Sequence, residues 1–314
     1  MTEKIRVTVT NVTDLVEGIR SYELRPDSNH ELPNFEAGAH IDVFLPNEMV
    51  RQYSISSSSH DFQRYVITVQ RDDSGRGGSK YIFDNVKIGN PLEISKPKNL
   101  FPLGKNDDVL FIAGGIGITP IMSMIDAISR TQRHWNLLYC ARTIERAAFR
   151  ENLSKYGDKV RYHFDNGESD KRINFDSELD GTPLTTSLYC CGPGLFIDDF
   201  LRAASRWDAS RVHFERFLGA REAVSGKRFK VFLKRSNLNL TVEPGETLLA
   251  ALQRNGVIVP SSCETGTCGT CMTGVLEGGV AHYDNILTDQ EREENNVIFP
   301  CVSRASGDFL VLDL

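Results

Sequence analysis

Apolar and polar residues alternate with period two through much of the first hundred positions. Residues 4–12 are rich in β-branched types and predict a strand. The stretches 19–25, 39–45, 52–56, 65–70 and 91–95 read the same way, separated by Gly38, Pro46-Asn47 and the run Asp72-Asp73-Ser74-Gly75. Short strands at this spacing predict a small antiparallel barrel. Beyond residue 107 the pattern changes. Residues 109–113 form a continuous apolar run, as a buried parallel strand requires. Ile121, Met124, Ile125 and Ile128 then recur at helical spacing, with Pro120 suited to the first helical position. Further buried strands are predicted at 136–140, 160–164 and 186–190, and 212–217 closes this region. Alternating strands and helices predict a mostly parallel sheet covered on both faces.

The last third alternates again. Strands are predicted at 228–234, 238–242, 273–276, 297–301 and 309–312, with a helix at 248–255 ended by Gly256. Thr288 to Glu291 has the form of a capping box opening a short helix. The segment 219–226 is small, polar and flanked by glycines, as a linker would be. The domains expected are therefore 1–104, 105–219, a linker at 220–226, and 227–314.

Composition narrows the function classes. The 314 residues are 40% hydrophobic and 25% charged, ordinary for a globular chain. A net charge of −6 argues against nucleic acid and against a basic membrane patch. No apolar run approaches the ~18 residues of a membrane span, and the first residues lead straight into a strand, so no signal peptide is expected. Seven cysteines without an export signal point to a reducing compartment, the cytoplasm.

Four of those cysteines carry the most specific signal. Cys263, Cys268 and Cys271 follow the spacing C-x4-C-x2-C, and Cys301 follows after twenty-nine intervening residues. This is the ligand spacing of a plant-type 2Fe–2S cluster. A structural zinc site usually pairs two short cysteine hairpins, and a disulfide framework suits a small secreted chain. Gly266 and Gly269 can supply the positive φ that wrapping a cluster needs.

Three other stretches offer chemistry. Arg51-Gln52-Tyr53-Ser54 lies on a strand, with Arg51 and Tyr53 on one face and Gln52 and Ser54 on the other. Gly77-Gly78-Ser79 stands at a helix start, where backbone amides can receive a phosphate. Gly114, Gly115, Gly117 and Thr119 join a strand to a helix N-terminus, the context in which a dinucleotide pyrophosphate can approach the backbone. Their spacing is G-G-x-G and not G-x-G-x-x-G, so the motif is moderately specific. Cys191 begins the run Cys-Gly-Pro at a strand's end, where burial as a small hydrophobe is the commoner role. Cys140, Cys190 and His213 read as structural.

Taken together, the R-x-Y-S strand, the glycine-rich helix start and the nucleotide-type unit resemble the ferredoxin reductase superfamily. The segment 227–314 resembles a plant-type ferredoxin β-grasp. The order of the three parts resembles the phthalate dioxygenase reductase family, reductase components of two-component Rieske oxygenases, and Cys301-Val-Ser-Arg304 belongs to its most specific stretches. The resemblance implies a flavin-binding β-barrel, a parallel-sheet NADH domain and a ferredoxin domain, with FMN, NADH and a 2Fe–2S cluster as cofactors. Tyr53 and Ser54 would meet the isoalloxazine, Arg51 the flavin phosphate, and Gly77, Gly78 and Ser79 would cap it. Cys191 would lie beside the nicotinamide, Phe217 would stack near the flavin, and Glu215 would be its polar neighbour. Arg142, after the second parallel strand, raises the question of NADPH. The acceptor would be a Rieske-type oxygenase, docking on an exposed cluster face, with the free reductase a monomer. A diiron monooxygenase reductase and a non-catalytic electron-transfer or redox-sensing module are the rival readings.

Overall fold

The structure is a computed structural model that describes residues 4–27, 31–46, 49–75, 77–105, 108–217, 226–261, 264, 266, 269–284 and 286–314. Cys263 and Cys268, and all of the expected linker except Gly226, lie outside the described residues. The chain divides into two compact units, 1–73 with 77–217, and 218–314 with 74–76.

The first unit opens with six antiparallel strands: β1 (Lys4–Val16), β2 (Ile19–Pro26), β3 (His40–Phe44), β4 (Val50–Ser54), β5 (Tyr65–Gln70) and, after helix α1 (Gly78–Asn85), β6 (Pro91–Ser95). Their order is β4-β3-β6-β1-β2-β5. Ile55, just past β4, bridges Ile67 in β5, and the Ser56 amide donates to the Val66 carbonyl at 2.8 Å. The outer strands therefore meet and the sheet closes on itself, which removes its free edges. Val7, Val9, Tyr22, Leu24, Ile41 and Ile67 fill the interior. Strand β1 runs four residues beyond the expected end at Val12. Register shifts between Val9 and Asn11 and between Asp14 and Val16 break its alternation, as bulges do.

The second layer is a five-stranded parallel sheet with helices on both faces. Its elements are β7 (Val109–Gly114), α2 (Ile118–Ile128), β8 (Trp135–Ala141), α3 (Arg150–Ser154), β9 (Val160–Phe164), α4 (Phe175–Glu178), β10 (Ser187–Gly192), α5 (Gly194–Ala203) and β11 (Val212–Arg216). The order is β11-β10-β7-β8-β9. Successive residues of β7 feed opposite cores: Phe111 and Ala113 pack with α2, and Ile112 packs with Ile197 and Phe200 of α5. Helix α2 begins at Ile118, two residues earlier than Pro120 suggests, after a 3-10 turn over Gly115–Gly117. Pro120 still falls in the first turn, where no amide is needed.

The barrel and the sheet share one unit because their cores join. Ala37 and Phe101 pack into the α2 core. The Gly38 amide donates to Ser123 Oγ at 3.1 Å, and a Cβ there would strike the Phe101 carbonyl and come within 2.7 Å of Met124 Cε. The Ser58 hydroxyl donates to Asp126 at 2.6 Å.

The second unit contains β12 (Phe229–Leu233), β13 (Leu238–Val242), α6 (Leu248–Arg254), β14 (Thr273–Glu277), β15 (Val280–Ala281), α7 (Asp289–Glu294), β16 (Val297–Ile298), β17 (Arg304–Ala305) and β18 (Phe309–Leu312). Its main sheet runs β13-β12-β18-β14-β16, with β12 and β18 parallel. Leu248, Ala251 and Leu252 of α6 close its core. The expected capping box is present, Thr288 and Glu291 each bonding the other's backbone. The strand expected over 297–301 stops at Ile298. Pro300 lacks a ladder donor, and the Phe299 carbonyl accepts from the Val302 and Ser303 amides, turning Cys301 inward.

Candidate active site and cluster loop

In the parallel sheet the strand order reverses between β7 and β10. Ligands of such sheets bind in the crevice at that switch point, beyond the strands' C-terminal ends. The two motifs singled out in this region both stand there: Gly114–Gly117 after β7 and Cys191-Gly192-Pro193 at the end of β10. Their backbones touch. A Cβ on Gly117 would meet the Cys191 carbonyl carbon at 2.5 Å, and one on Gly192 would meet the Gly114 Cα at 3.2 Å. Gly115 differs: its φ is +56° and open space surrounds it. Thr119 is buried, and its hydroxyl donates to the Ile116 carbonyl at 3.0 Å.

Parallel pairing of β10 and β11 sets Cys191 opposite Glu215. The fully buried Cys191 thiol donates to Glu215 Oε2 at 3.9 Å. Burial, reinforced by the carboxylate beside it, holds the thiol well above its ordinary range. Burial likewise pushes the Glu215 carboxyl up to about 8, partly offset by the thiol. Both shifts run in the same direction, toward the protonated acid and the protonated thiol. Phe217 follows β11, half-buried on the α2 core, its amide donating to the Gly192 carbonyl at 2.9 Å. His213 stacks on Tyr189 with centroids 4.3 Å apart, a packing role. Cys140 and Cys190 are buried core residues. Arg142 is exposed, and its carbonyl accepts from the Asn166 amide at 2.7 Å.

In the barrel, β4 carries Arg51, Tyr53 and Ser54. The Arg51 stem crosses the start of α1 where Gly78 has no side chain; a Cβ there would lie 2.5 Å from Arg51 Cγ and 2.9 Å from Cδ. The guanidinium nitrogen Nη1 donates to the Val50 carbonyl at 2.7 Å. Gly77 caps α1 in the left-handed region with φ +82°. A cation laid across a helix N-terminus fits a phosphate group. The Ser79 hydroxyl accepts from the Asp72 amide at 3.1 Å. Tyr53 packs against the barrel core, and burial raises its phenol well above the usual range. Ser54 is buried, opposite His40 in the β3–β4 register.

In the second unit, Cys271 Sγ and Cys301 Sγ stand 3.4 Å apart, both buried. A disulfide requires about 2.05 Å, whereas two thiolates on one tetrahedral metal with bonds of about 2.3 Å lie about 3.8 Å apart. At 3.4 Å the pair is too far apart for a disulfide and near the spacing of two ligands on one metal. Gly266 has φ +72°, and a Cβ there would meet Val302 Cγ2 at 2.7 Å and Asp284 Cα at 3.0 Å. Asp284 in turn accepts from the Ile286 and Leu287 amides at 3.0 and 2.9 Å. Among the described residues no three His, Cys, Asp or Glu side chains converge as a metal site, as the other two cysteines fall outside them.

Two contacts had no signal in periodicity: Gly38, which reads as a strand break yet fastens barrel to sheet, and Gly117 against Cys191. Arg304 had a signal, its place in the Cys301-Val-Ser-Arg304 stretch, but no role.

Family profiles match all three parts: an oxidoreductase FAD-binding domain over 6–102, an oxidoreductase NAD-binding domain over 111–201, and a 2Fe-2S iron-sulfur cluster binding domain over 231–306. The chain is 39% identical over 307 residues to the phthalate 4,5-dioxygenase oxygenase reductase subunit of Pseudomonas putida, covering 96% of this chain and 94% of that one. It is 40% identical to a vanillate O-demethylase oxidoreductase of a Pseudomonas strain, covering 99% and 100%. Among solved structures it is similar to phthalate dioxygenase reductase, described as a modular structure for electron transfer from pyridine nucleotides to 2Fe–2S, with TM-score 0.78, 37% identity and coverage of 99% and 98%. With the flavin, nicotinamide and iron–sulfur parts in the same order over nearly its whole length, the chain is an oxidoreductase of the phthalate dioxygenase reductase family.

Proposed function

We propose that this reductase takes hydride from NADH and delivers single electrons to a Rieske-type oxygenase, with FMN as its flavin. The observation that carries the reading is the Cys271–Cys301 thiol pair, 3.4 Å apart, in a chain that also holds a nucleotide crevice. A nicotinamide gives two electrons together, a 2Fe–2S cluster takes one, and a flavin supplies the exchange between the two. The chain's own residues bind and orient. Cys263, Cys268, Cys271 and Cys301 hold the cluster. Arg51, Gly77, Gly78 and Ser79 hold the flavin phosphate, and Tyr53, Ser54 and Phe217 border its ring. Gly115 leaves room for the pyrophosphate, Gly114 and Gly117 shape the loop around it, and Thr119 fixes the start of α2. Cys191 and Glu215, both shifted toward their protonated forms, line the nicotinamide side.

The proposed domain limits are 1–104, 105–219 and 227–314, joined at 220–226. The protein works as a cytoplasmic monomer; the buried free thiols of Cys140, Cys190 and Cys191 are in keeping with a reducing compartment. Full-length likeness to an oxygenase reductase supports the choice of acceptor.

Anaerobic mixing with NADH tests the reading: the flavin band should bleach first and the cluster absorbance follow. In Cys301→Ser the flavin should still bleach while delivery to the oxygenase stops. Loss of flavin reduction in a folded Cys301→Ser protein would overturn the order of carriers. FAD in a heat extract would overturn the FMN assignment.

A further inference from the structure

Arg304 stands three residues after Cys301 and opens β17. It is 3% exposed. Among the described residues no carboxylate oxygen forms an ion pair with it, although the Glu246 carboxylate acts on it from a distance. Its guanidinium donates instead to three backbone carbonyls: Nη1 to Glu246, and Nη2 to Lys227 at 3.2 Å and Glu243 at 3.3 Å. It also lies over the Phe229 ring, 5.0 Å from the centroid. Burying a cation without an anionic partner is costly, and burial lowers its pKa accordingly. Glu243 and Glu246 belong to the turn between β13 and α6, so two of the three bonds fasten the fold. The third goes elsewhere. Lys227 is the second described residue after the connection from the first unit. Gly226, just before it, is pressed against the same guanidinium: its φ is +143°, and a Cβ would lie 3.0 Å from Arg304 Nε.

We propose that Arg304 is a positioning residue for transfer from flavin to cluster. Its planar fork ties the chain's point of arrival in the second unit to the strand that follows Cys301, and so fixes that arrival relative to a cluster ligand. Lysine, a point charge on a flexible stem, does not offer that rigid fork of donors. The step itself moves one electron from the reduced flavin to the oxidised cluster and breaks no bond. The inference rests on Cys301 being a cluster ligand.

The test uses the full-length protein with Arg304→Lys and Gly226→Ala. Three quantities are read: iron and sulfide content, amide hydrogen exchange at 226–229, and stopped-flow rates of flavin bleaching and of cluster reduction. Both variants should keep their iron and sulfide and their rate of flavin bleaching by NADH. Exchange at 226–229 should quicken, and cluster reduction should slow by about tenfold, the scale on which small misplacements act. Cluster reduction at the parent rate in both variants overturns the proposal, as does a slowdown matched by lost iron and sulfide. If Arg304→Lys alone loses its cluster, Gly226→Ala decides, since it leaves the core of the second unit untouched. Absence of iron and sulfide from the parent protein would instead overturn the cluster reading.

Discussion

At the scale of single residues, the Cys191–Glu215 pair shows how position in a sheet sets chemistry. Neither residue type is unusual, but parallel pairing of β10 with β11 sets them opposite one another in an apolar setting. The carboxyl moves from its ordinary 4.5 to about 8 because burial disfavours its charge. The folded protein then keeps a proton that the unfolded chain releases. The resulting stability is fully present below about pH 4.5 and is lost as the pH rises through about 8. The urea midpoint of the parent protein should therefore fall relative to Glu215→Gln as pH is raised across that window. Parallel midpoint profiles for the two proteins would show that Glu215 does not titrate this way.

At the scale of elements, glycines in one loop serve different ends. Gly117 allows the loop after β7 to lie on the backbone at the end of β10, and backbone cannot move aside as a flexible side chain can. Gly117→Ala should cost about 1–3 kcal/mol, the usual range for overpacking, and should weaken NADH binding. Its cluster absorbance should not change. Gly115→Ala meets no neighbour, so its cost is the left-handed backbone alone, about 1–2 kcal/mol. Thermal melts of the two variants, paired with NADH titration, check this; a larger loss in Gly115→Ala would contradict the packing argument.

Over the whole molecule, two compact units divide the work. The barrel and the parallel sheet share one unit through Gly38, Ser123 and the Phe101 region, so the parts matching the FAD-binding and NAD-binding profiles are built on a common core. The four cysteines fall in the other unit. A fragment ending at Phe217 should fold, bind flavin and be bleached by NADH, yet give no electrons to the oxygenase. Its reduction of ferricyanide, followed beside reduction of the oxygenase, checks both halves of that expectation. A fragment that cannot be bleached would mean that the second unit helps to complete the flavin site.

Much of this was legible in the residues. Alternation marked the strands because each face of a sheet meets a different solvent. The C-x4-C-x2-C spacing pointed to the 2Fe-2S domain that the family profile matches over 231–306, because thiolate ligands of one centre come from a tight turn. Boundaries were less legible where local rules compete: the bulges in β1 shift its alternation, and Pro300 ends the strand that would have run to Cys301. Approach between distant segments could not be read at all. Nothing in the order of residues says that Gly117 rests on Cys191, that Glu215 sits opposite that thiol, or that Arg304 reaches the Lys227 carbonyl. The sequence by itself determined the kinds of element and the spacing of the cysteines along them, since both depend on neighbours along the chain. Only the tertiary structure decided which backbones touch and which carboxyl loses its water, since those depend on what the fold brings in from elsewhere.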